Sequence, residues 1–304
     1  MLIVNWPNAT KRSFGDEVLQ AEHNLHQSDL FADDGLAQLL EIYPREHLDI
    51  WTFGEFREGC QPAIRGRAPK LSGKDILEAV KRGDIWLNLR RISHEIIELR
   101  PLADRVFQSL ETATRTRVHD TAMNLLISSP NMHVHYHLDI SMVALLQLRG
   151  RKQIWLYPRT DDFAVPEYVE AMVHKTREED LPYQNAFDRD AVVYELEPGM
   201  GLSWPQLSPH RIQNADCLNV SISCEFQTRK SAIRADAIYT NAFLRQNMNF
   251  TPDLPGRIGP RTFAKAVFGK AYKKLHPDGP NVATTPVTFE LDVSKEKCVK
   301  PLWV

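Results

Sequence analysis

Hydrophobic and polar residues follow two different periods along this chain. In the first third, apolar residues recur at helical spacing in three segments: GLAQLLEIY, with Ser28 or Asp29 as its N-terminal cap; SGKDILEAVKRG, which ends at Gly83; and DRVFQSLETAT. From about residue 122 to 228 the pattern changes to short apolar or alternating runs, separated by turn sequences such as EPG and SPH. Helices followed by a β-rich segment are therefore predicted.

The β-rich segment contains five strand candidates, MNLLISS, MVALLQL, QIWLY, VVYEL and NVSISCEF. Helical patterns return at residues 231–247 and 261–275, and VTFELDV predicts one strand in the tail. The predicted fold class is a mainly β core with α-helices. Its expected organisation is a largely helical region at 1–120 that packs on the core, the β core itself at 121–230, and a C-terminal helical extension and tail at 231–304.

Composition and charge exclude several classes of function. A chain of 304 residues with 43% apolar content can bury a full core. The formal net charge of -2 disfavours nucleic acid or an anionic membrane surface as a partner, and no apolar run is long enough to predict a membrane span. The four cysteines lack CxxC pairing, which fits a reducing compartment. A cytoplasmic location is therefore predicted.

The stretch HVHYHLD is the strongest chemical signal in the chain. In an extended strand, His133, His135, His137 and Asp139 project to one face, while the apolar residues between them project to the other. Burying several imidazoles and a carboxylate together is costly unless a charged group organises them, and a divalent cation does this well. The pattern therefore predicts a metal site.

Two sets of ligands fit this pattern. The first uses His133 and His135 with Asp139, a spacing similar to that of metal-binding cupins. The second uses His137 and Asp139, the pair that opens a facial triad of two histidines and one carboxylate and leaves three metal positions free. Both sets need a distant histidine, and His210 in the segment PGMGLSWPQLSPHRIQN can serve either one.

A lysine downstream helps to distinguish the two sets. The run MVALLQLRGRKQIWLYP predicts a strand, a tight turn at residues 149–151, and a second strand on which Lys152, Ile154 and Leu156 share one face. A lysine on an inward, apolar face needs an anionic partner. The alternative is an ordinary turn lysine in water.

At these positions the sequence resembles the JmjC-type, cupin-like family of Fe(II)- and 2-oxoglutarate-dependent oxygenases, which includes the asparaginyl hydroxylase of the hypoxia-inducible factor. The matching text is HLDISMVALLQLRGRKQIWLYP, followed by EPGMGLSWPQLSPHRIQN and NVSISCEF. Lys152 lies thirteen residues after Asp139, the interval that the family uses for its 2-oxoglutarate lysine. The cupin spacing would require a glycine near position 146, where this chain has Leu146. The second set of ligands is therefore preferred.

The resemblance implies a fold, cofactors and an activity. Its core is a double-stranded β-helix of the jelly-roll or cupin type, flanked by N- and C-terminal helices. His137, Asp139 and His210 are the implied Fe(II) ligands and catalytic residues, and Lys152 is the implied anchor of 2-oxoglutarate. The implied reaction consumes O2, hydroxylates a C-H bond of a protein or small-molecule substrate, and releases succinate and carbon dioxide.

The same family often dimerises through its C-terminal helices, so a homodimer is one interpretation of the two C-terminal helical patterns, and packing against the core is the other. This chain also departs from the family pattern. The second contact to 2-oxoglutarate is unassigned, with Asn124 and Ser141 as candidates, and Glu225 stands where some relatives have Asn. Two other functions remain open: a metal cupin of different chemistry that uses His133 and His135, and a non-catalytic cupin-like binding or regulatory module.

Overall fold

A computed structural model describes residues 4–59, 63–68, 70–248, 250–256, 258–275 and 285–302 of the chain. The helices are α1 Asp33–Ile42, α2 Gly73–Arg82, α3 Ile92–Glu95, α4 Arg100–Thr114, α5 Pro166–Val173, α6 Arg229–Met248 and α7 Pro260–Leu275. The strands are β1 Val4–Asn5, β2 Leu19–His23, β3 Leu48–Thr52, β4 Ile64–Arg67, β5 Trp86–Leu89, β6 His119–Ser128, β7 His133–His137, β8 Met142–Arg149, β9 Lys152–Leu156, β10 Val192–Leu196, β11 Met200–Ser203, β12 His210–Asn214, β13 Asn219–Gln227, β14 Val287–Leu291 and β15 Val299–Pro301.

The three helices predicted near the N-terminus are present, with one correction. Helix α1 begins later than predicted, because Ser28 caps a short 3-10 turn that precedes it: the Ser28 hydroxyl accepts a hydrogen bond from the amide of Leu30. Helix α2 begins after Ser72, whose hydroxyl accepts from the amide of Asp75, and it ends at Gly83 as predicted. These side chains satisfy amides that have no partner inside the first turn.

Two sheets form the core. The larger has the strand order β1-β2-β11-β8-β13-β6-β5-β3-β4-β14-β15, and the smaller has the order β10-β9-β12-β7. Of the strands from β6 to β13, four belong to the larger sheet, namely β6, β8, β11 and β13. The other four, β7, β9, β10 and β12, form the smaller sheet. The predicted mainly β fold with helices is therefore confirmed.

The inner faces of the two sheets pack against each other. Val143 and Leu145 of β8 in the large sheet join Ile154 and Leu156 of β9 and Ile212 of β12 in one buried cluster. The opposite face of β8 packs instead into a second and larger core that includes α1, α2 and α4. Successive side chains of β8 therefore point alternately into the cluster between the sheets and into the larger core.

The N-terminal region differs from the predicted largely helical one. Strands β1 to β5 extend the large sheet on both sides, next to α1 to α4. The tail also returns to this region, because β14 pairs in parallel with β4 and antiparallel with β15. Regions 1–120 and 231–304 therefore contribute to the same sheet as the central strands.

Both C-terminal helices are present, and only one of them packs closely on the core. Helix α6 buries Ile238 in a cluster with Tyr136 of β7 and Met172 of α5. Helix α7 packs on α6, with Ala266 and Gly269 as its buried residues. Among the described residues, no helix is both long enough and apolar enough to cross a membrane.

Candidate metal and cosubstrate site

The histidine strand β7 contains an irregularity that decides which side chains face inward. Val134 pairs with Ile212 of β12, and His137 pairs with His210, so β7 advances by three residues where β12 advances by two. An extra residue of this kind is a β-bulge, which reverses the alternation of side chains beyond it. Val134 packs in the inter-sheet cluster, and the His137 ring lies 4.1 Å from the His210 ring, centroid to centroid.

The other two histidines of the stretch lie on the opposite face. The His133 ring stacks on Phe56 with a centroid separation of 5.6 Å, and the His135 ring lies 5.2 Å from Phe53 and 6.1 Å from Phe56. The guanidinium of Arg211, on the outer face of β12, also lies over Phe56. The prediction that four donor groups share one face is therefore wrong for His133 and His135, because the bulge separates them from His137.

The structure brings His137, Asp139 and His210 together. One donor atom from each of these residues lies within 4.8 Å of the other two, and they are the one group of three or more such residues found in the described part of the chain. Nε2 of His210 lies 3.5 Å from Oδ2 of Asp139. Two donors in adjacent positions around one ion, each bonded at about 2.1 Å, lie about 3 Å apart, so the spacing fits a shared cation.

Backbone carbonyls orient both imidazoles of this triad. Nδ1 of His137 donates to the carbonyl of His135 at 2.7 Å, and Nδ1 of His210 donates to the carbonyl of Ser208 at 3.1 Å. A hydrogen bond from Nδ1 leaves Nε2 as the lone-pair donor, and this is how many metal-binding histidines are held. Each carbonyl belongs to the residue two positions before its histidine.

Burial keeps both imidazoles neutral, which is the form that binds metal. Desolvation lowers the pKa of His137 to about 4, and desolvation together with the nearby His137 ring lowers the pKa of His210 well below its ordinary value. The pKa of Asp139 is raised, first by desolvation and then by the carboxylates of Glu179 and Glu225. A bound cation would reverse the effect on Asp139, since positive charge favours the ionised carboxylate.

Glu179 was not predicted as part of the site. It lies in the long connection between β9 and β10, which runs alongside the end of β7: the amide of Leu138 donates to the carbonyl of Glu179, and the amide of Leu181 donates to the carbonyl of Tyr136. No periodicity or motif marks this connection in the sequence. Its position depends on contacts with β7 that are remote along the chain.

The candidate second contacts to 2-oxoglutarate are placed differently. Asn124 donates from Nδ2 to Oε1 of Glu225 at 2.6 Å, and its Oδ1 accepts from the amide of Arg91. Its amide group thus already has partners on both sides. Ser141 accepts a hydrogen bond from Gln227. Neither arrangement identifies the second contact, which stays unassigned.

Lys152 is buried at the start of β9. It is 5% exposed, pairs across the strands with Asn214 of β12, and shares the inward face with Ile154 and Leu156, as predicted. No carboxylate in the described part of the chain forms an ion pair with it. Desolvation lowers the pKa of Lys152 to about 7. A buried lysine of this kind has unused capacity for an anionic ligand.

Comparison with solved structures identifies the fold. The chain superposes on the X-ray structure of E. coli ycfD with a TM-score of 0.51 and 17% sequence identity, over 91% of this chain and 70% of that one. A structure described as YcfD, a ribosomal oxygenase from Escherichia coli, in complex with cobalt and 2-oxoglutarate gives a TM-score of 0.44 at 16% identity, over 83% of this chain and 60% of that one. No protein-family model matches the chain, and no curated protein matches its sequence.

The chain shares its fold with E. coli ycfD. At 17% identity this likeness concerns the fold alone. The narrower similarity to the asparaginyl hydroxylase of the hypoxia-inducible factor is not shown by these comparisons and stays a prediction.

Proposed function

We propose that this chain is an Fe(II)- and 2-oxoglutarate-dependent oxygenase that hydroxylates a C-H bond of a protein side chain or a small molecule. The observation that carries the proposal is the group His137, Asp139 and His210, in which both imidazoles are neutral and offer Nε2. Two histidines and one carboxylate form the facial triad typical of non-haem Fe(II) oxygenases. The solved relatives with cobalt and with 2-oxoglutarate or succinic acid agree with it.

The residues present fit both the metal and the cosubstrate. An iron ion with bound 2-oxoglutarate and O2 would supply the oxidising chemistry, which yields succinate and carbon dioxide. The carbonyls of His135 and Ser208 hold the two imidazole rings in the required tautomer. Lys152 would pair with the distal carboxylate of 2-oxoglutarate, because its ammonium is buried without a carboxylate partner among the described residues.

The proposed scaffold is a double-stranded β-helix formed by β6 to β13, four strands in each sheet. A barrel of this type encloses a pocket between its sheets, and the inward positions of His137, His210 and Lys152 agree with it. We retain 121–230 as the catalytic core, with 1–120 and 231–304 as regions that extend its large sheet and cover it. The site residues would then all lie in the core.

Anaerobic absorption spectroscopy tests the metal and the cosubstrate together. We expect Fe(II) and 2-oxoglutarate to give a visible charge-transfer band with the purified chain, because both ends of the 2-oxo acid group would bind the metal. His137→Ala should abolish the band, whereas His133→Ala is the matched control and should keep it. Metal binding without a band would contradict the proposal and favour a cupin of other chemistry. Absence of metal binding would favour the binding-module alternative.

The outward position of His133 and His135 argues against the cupin alternative. Their rings pack on Phe53 and Phe56, away from His210, which that ligand set also requires. No observation on the described residues favours a non-catalytic module, since a scaffold alone does not require three converging donors and a buried lysine.

We also propose that α7 mediates a homodimer. Phe263, Val267 and Leu275 are exposed along one side of this helix, at 50%, 56% and 76%. An exposed apolar stripe of this kind is typical of a contact surface. Sedimentation velocity should detect a dimer that Val267→Glu converts to a monomer, and a wild-type monomer at all concentrations would contradict the assignment.

A further inference from the structure

Strand β10 is the free edge of the small sheet. It pairs with β9 on one side, and no strand among the described residues pairs with its other side. Val192 and Val193 at its start are 56% and 45% exposed. A free edge presents a row of backbone donors and acceptors with which another extended chain can pair.

A cavity of about 340 Å³ adjoins this edge, and Val192 and Tyr194 of β10 form part of its wall. Leu156 and Ser208 line the same cavity. Leu156 is the strand partner of His210, and the carbonyl of Ser208 accepts the hydrogen bond from the His210 ring. The cavity therefore lies at the same end of the barrel as His210, with two neighbours of this proposed metal ligand in its wall.

Ser208 contributes a polar group to the wall of this cavity. The residue is 5% exposed overall and lines the cavity. Its hydroxyl can donate or accept a hydrogen bond, so it suits an occupant that carries a polar atom at this position.

The charge around the edge favours a basic partner. Asp190, Glu195 and Glu197 lie on β10 or next to it and are exposed, and Arg189 is the one exposed base in the same stretch. Opposite charges along an exposed strand pair attract, and like charges repel. An extended segment with lysine or arginine side chains is therefore the best match.

We propose that the edge of β10 and the adjoining cavity bind an extended, basic segment of a protein substrate by strand addition. This inference rests on the oxygenase function proposed above and specifies how its substrate is held. A chain paired with β10 would place one side chain in the cavity, in contact with Ser208. The paired segment would lie at the end of the barrel that holds His210, with β9 and β10 between them, so the residue that reacts would belong to a neighbouring part of the same chain.

Fluorescence anisotropy with defined peptides tests the docking surface. The probe is a fluorescein-labelled heptapeptide of alternating lysine and valine, added to the full chain with and without Co(II). A second probe carries N-methyl groups on alternate backbone nitrogens, which removes the donors needed for pairing, and a third replaces lysine by glutamate. We expect N-methylation to weaken binding by about tenfold or more, since two or more backbone hydrogen bonds are lost, and the acidic probe to bind no better than the N-methylated one.

A charge reversal localises the interaction. Asp190→Lys should weaken binding of the basic probe by about tenfold, whereas Asp104→Lys, the same change on exposed α4, should leave it unchanged. Amide hydrogen exchange should become slower at residues 192–196 when the probe is bound. Equal binding of the N-methylated probe, or protection elsewhere in the chain, would overturn the proposal.

Two further outcomes are separable. Slower exchange at 192–196 that depends on protein concentration and needs no peptide would mean that a second copy of this chain covers the edge, and the proposal would then be wrong. The peptide measurements without metal do not depend on iron chemistry. A failed docking test with an intact charge-transfer band would reject this inference and leave the oxygenase proposal standing.

Discussion

Lys152→Met is expected to make the ligand-free protein more stable while it weakens 2-oxoglutarate binding. Lys152 is 5% exposed, and desolvation lowers the pKa of its ammonium from an ordinary value of 10.5 to about 7. At about 1.4 kcal/mol for each unit of pKa, the full penalty for burying the charge is about 4 to 5 kcal/mol. Water that enters the site reduces such penalties, so we expect Lys152→Met to raise the free energy of unfolding by about 2 kcal/mol.

The pH dependence gives the sign of this effect. The folded protein binds the Lys152 proton less tightly than the unfolded chain does, so the penalty is fully present below pH 7 and disappears as the pH rises towards 10.5. Urea unfolding should therefore show that Lys152→Met raises the free energy of unfolding strongly at pH 6.5 and only slightly at pH 9.5. Lys74→Met, on the exposed side of α2, is the control and should show neither.

The ligand assay completes the test. The same substitution removes a charge-assisted contact, which is worth about 1.5 to 3 kcal/mol, so 2-oxoglutarate affinity should fall by about 10- to 150-fold. Calorimetric titration of the metal-loaded protein measures this directly. Unchanged affinity in Lys152→Met would refute the anchor assignment, and a loss of stability at pH 6.5 would refute the argument from burial.

Three other changes test separate parts of the structure. His210→Ala should lower metal affinity by at least about 100-fold, while His133→Ala, on the outer face, should leave the metal dissociation constant within a factor of about two; equal losses would contradict the bulge. Burial lowers the pKa of His23 to about 4, so the free energy of unfolding should decrease as the pH falls from 6.5 to 4. His23→Gln should reduce this dependence on pH, and urea unfolding at several pH values measures it. Gly201→Ala should destabilise the folded protein by about 1 to 3 kcal/mol, because the added methyl group would lie 2.5 Å from Cδ2 of Leu146. Thermal unfolding measures this, and Gly256→Ala is the control because no atom lies within 4 Å of its added methyl group.

The convergence of His137, Asp139 and His210 was predictable because the signals of the candidate metal site are short and local. The pair His137 and Asp139, the distal His210 before the last long strand, and Lys152 at its fixed interval can all be identified in the printed sequence. Strand alternation offers an inward position for Lys152, with a turn lysine in water as the alternative, and the structure places the side chain inward. What local patterns cannot supply is the distance between segments that are more than 70 residues apart.

The bulge in β7 was not predictable from β7 itself. Alternation assigns His133, His135 and His137 to one face, and this holds only while the pairing with β12 stays regular. The extra residue places His135 and Tyr136 opposite a single residue of β12. Register is a property of two strands, and here the partner strand begins far along the chain, at His210.

The extension of the sheet was missed for a related reason. The N-terminal strands are short and lie between strongly periodic helices, so the helical pattern dominates the sequence signal. Strand β14 was identified as a strand, but its parallel pairing with β4 joins residues more than 200 positions apart. Local propensity determines that a segment is extended, and tertiary packing determines which edge it joins.

The outer face of the small sheet explains what the two remaining histidines do. Arg211 lies over Trp155 at 3.6 Å from the ring centroid and donates to Asp188 at 2.7 Å, while Phe56 covers His133 and His135 from the other side. These contacts surround the bulge on the face opposite the proposed metal ligands. The bulge turns the His137 ring inward, and the carbonyl of His135 accepts a hydrogen bond from Nδ1 of that ring. His135 therefore contributes to the aromatic packing on the outer face with its ring, and to the orientation of His137 on the inner face with its carbonyl. The repeated histidines therefore divide between the two faces of one strand: His133 and His135 pack on the outer face, and His137 on the inner face is the proposed metal ligand.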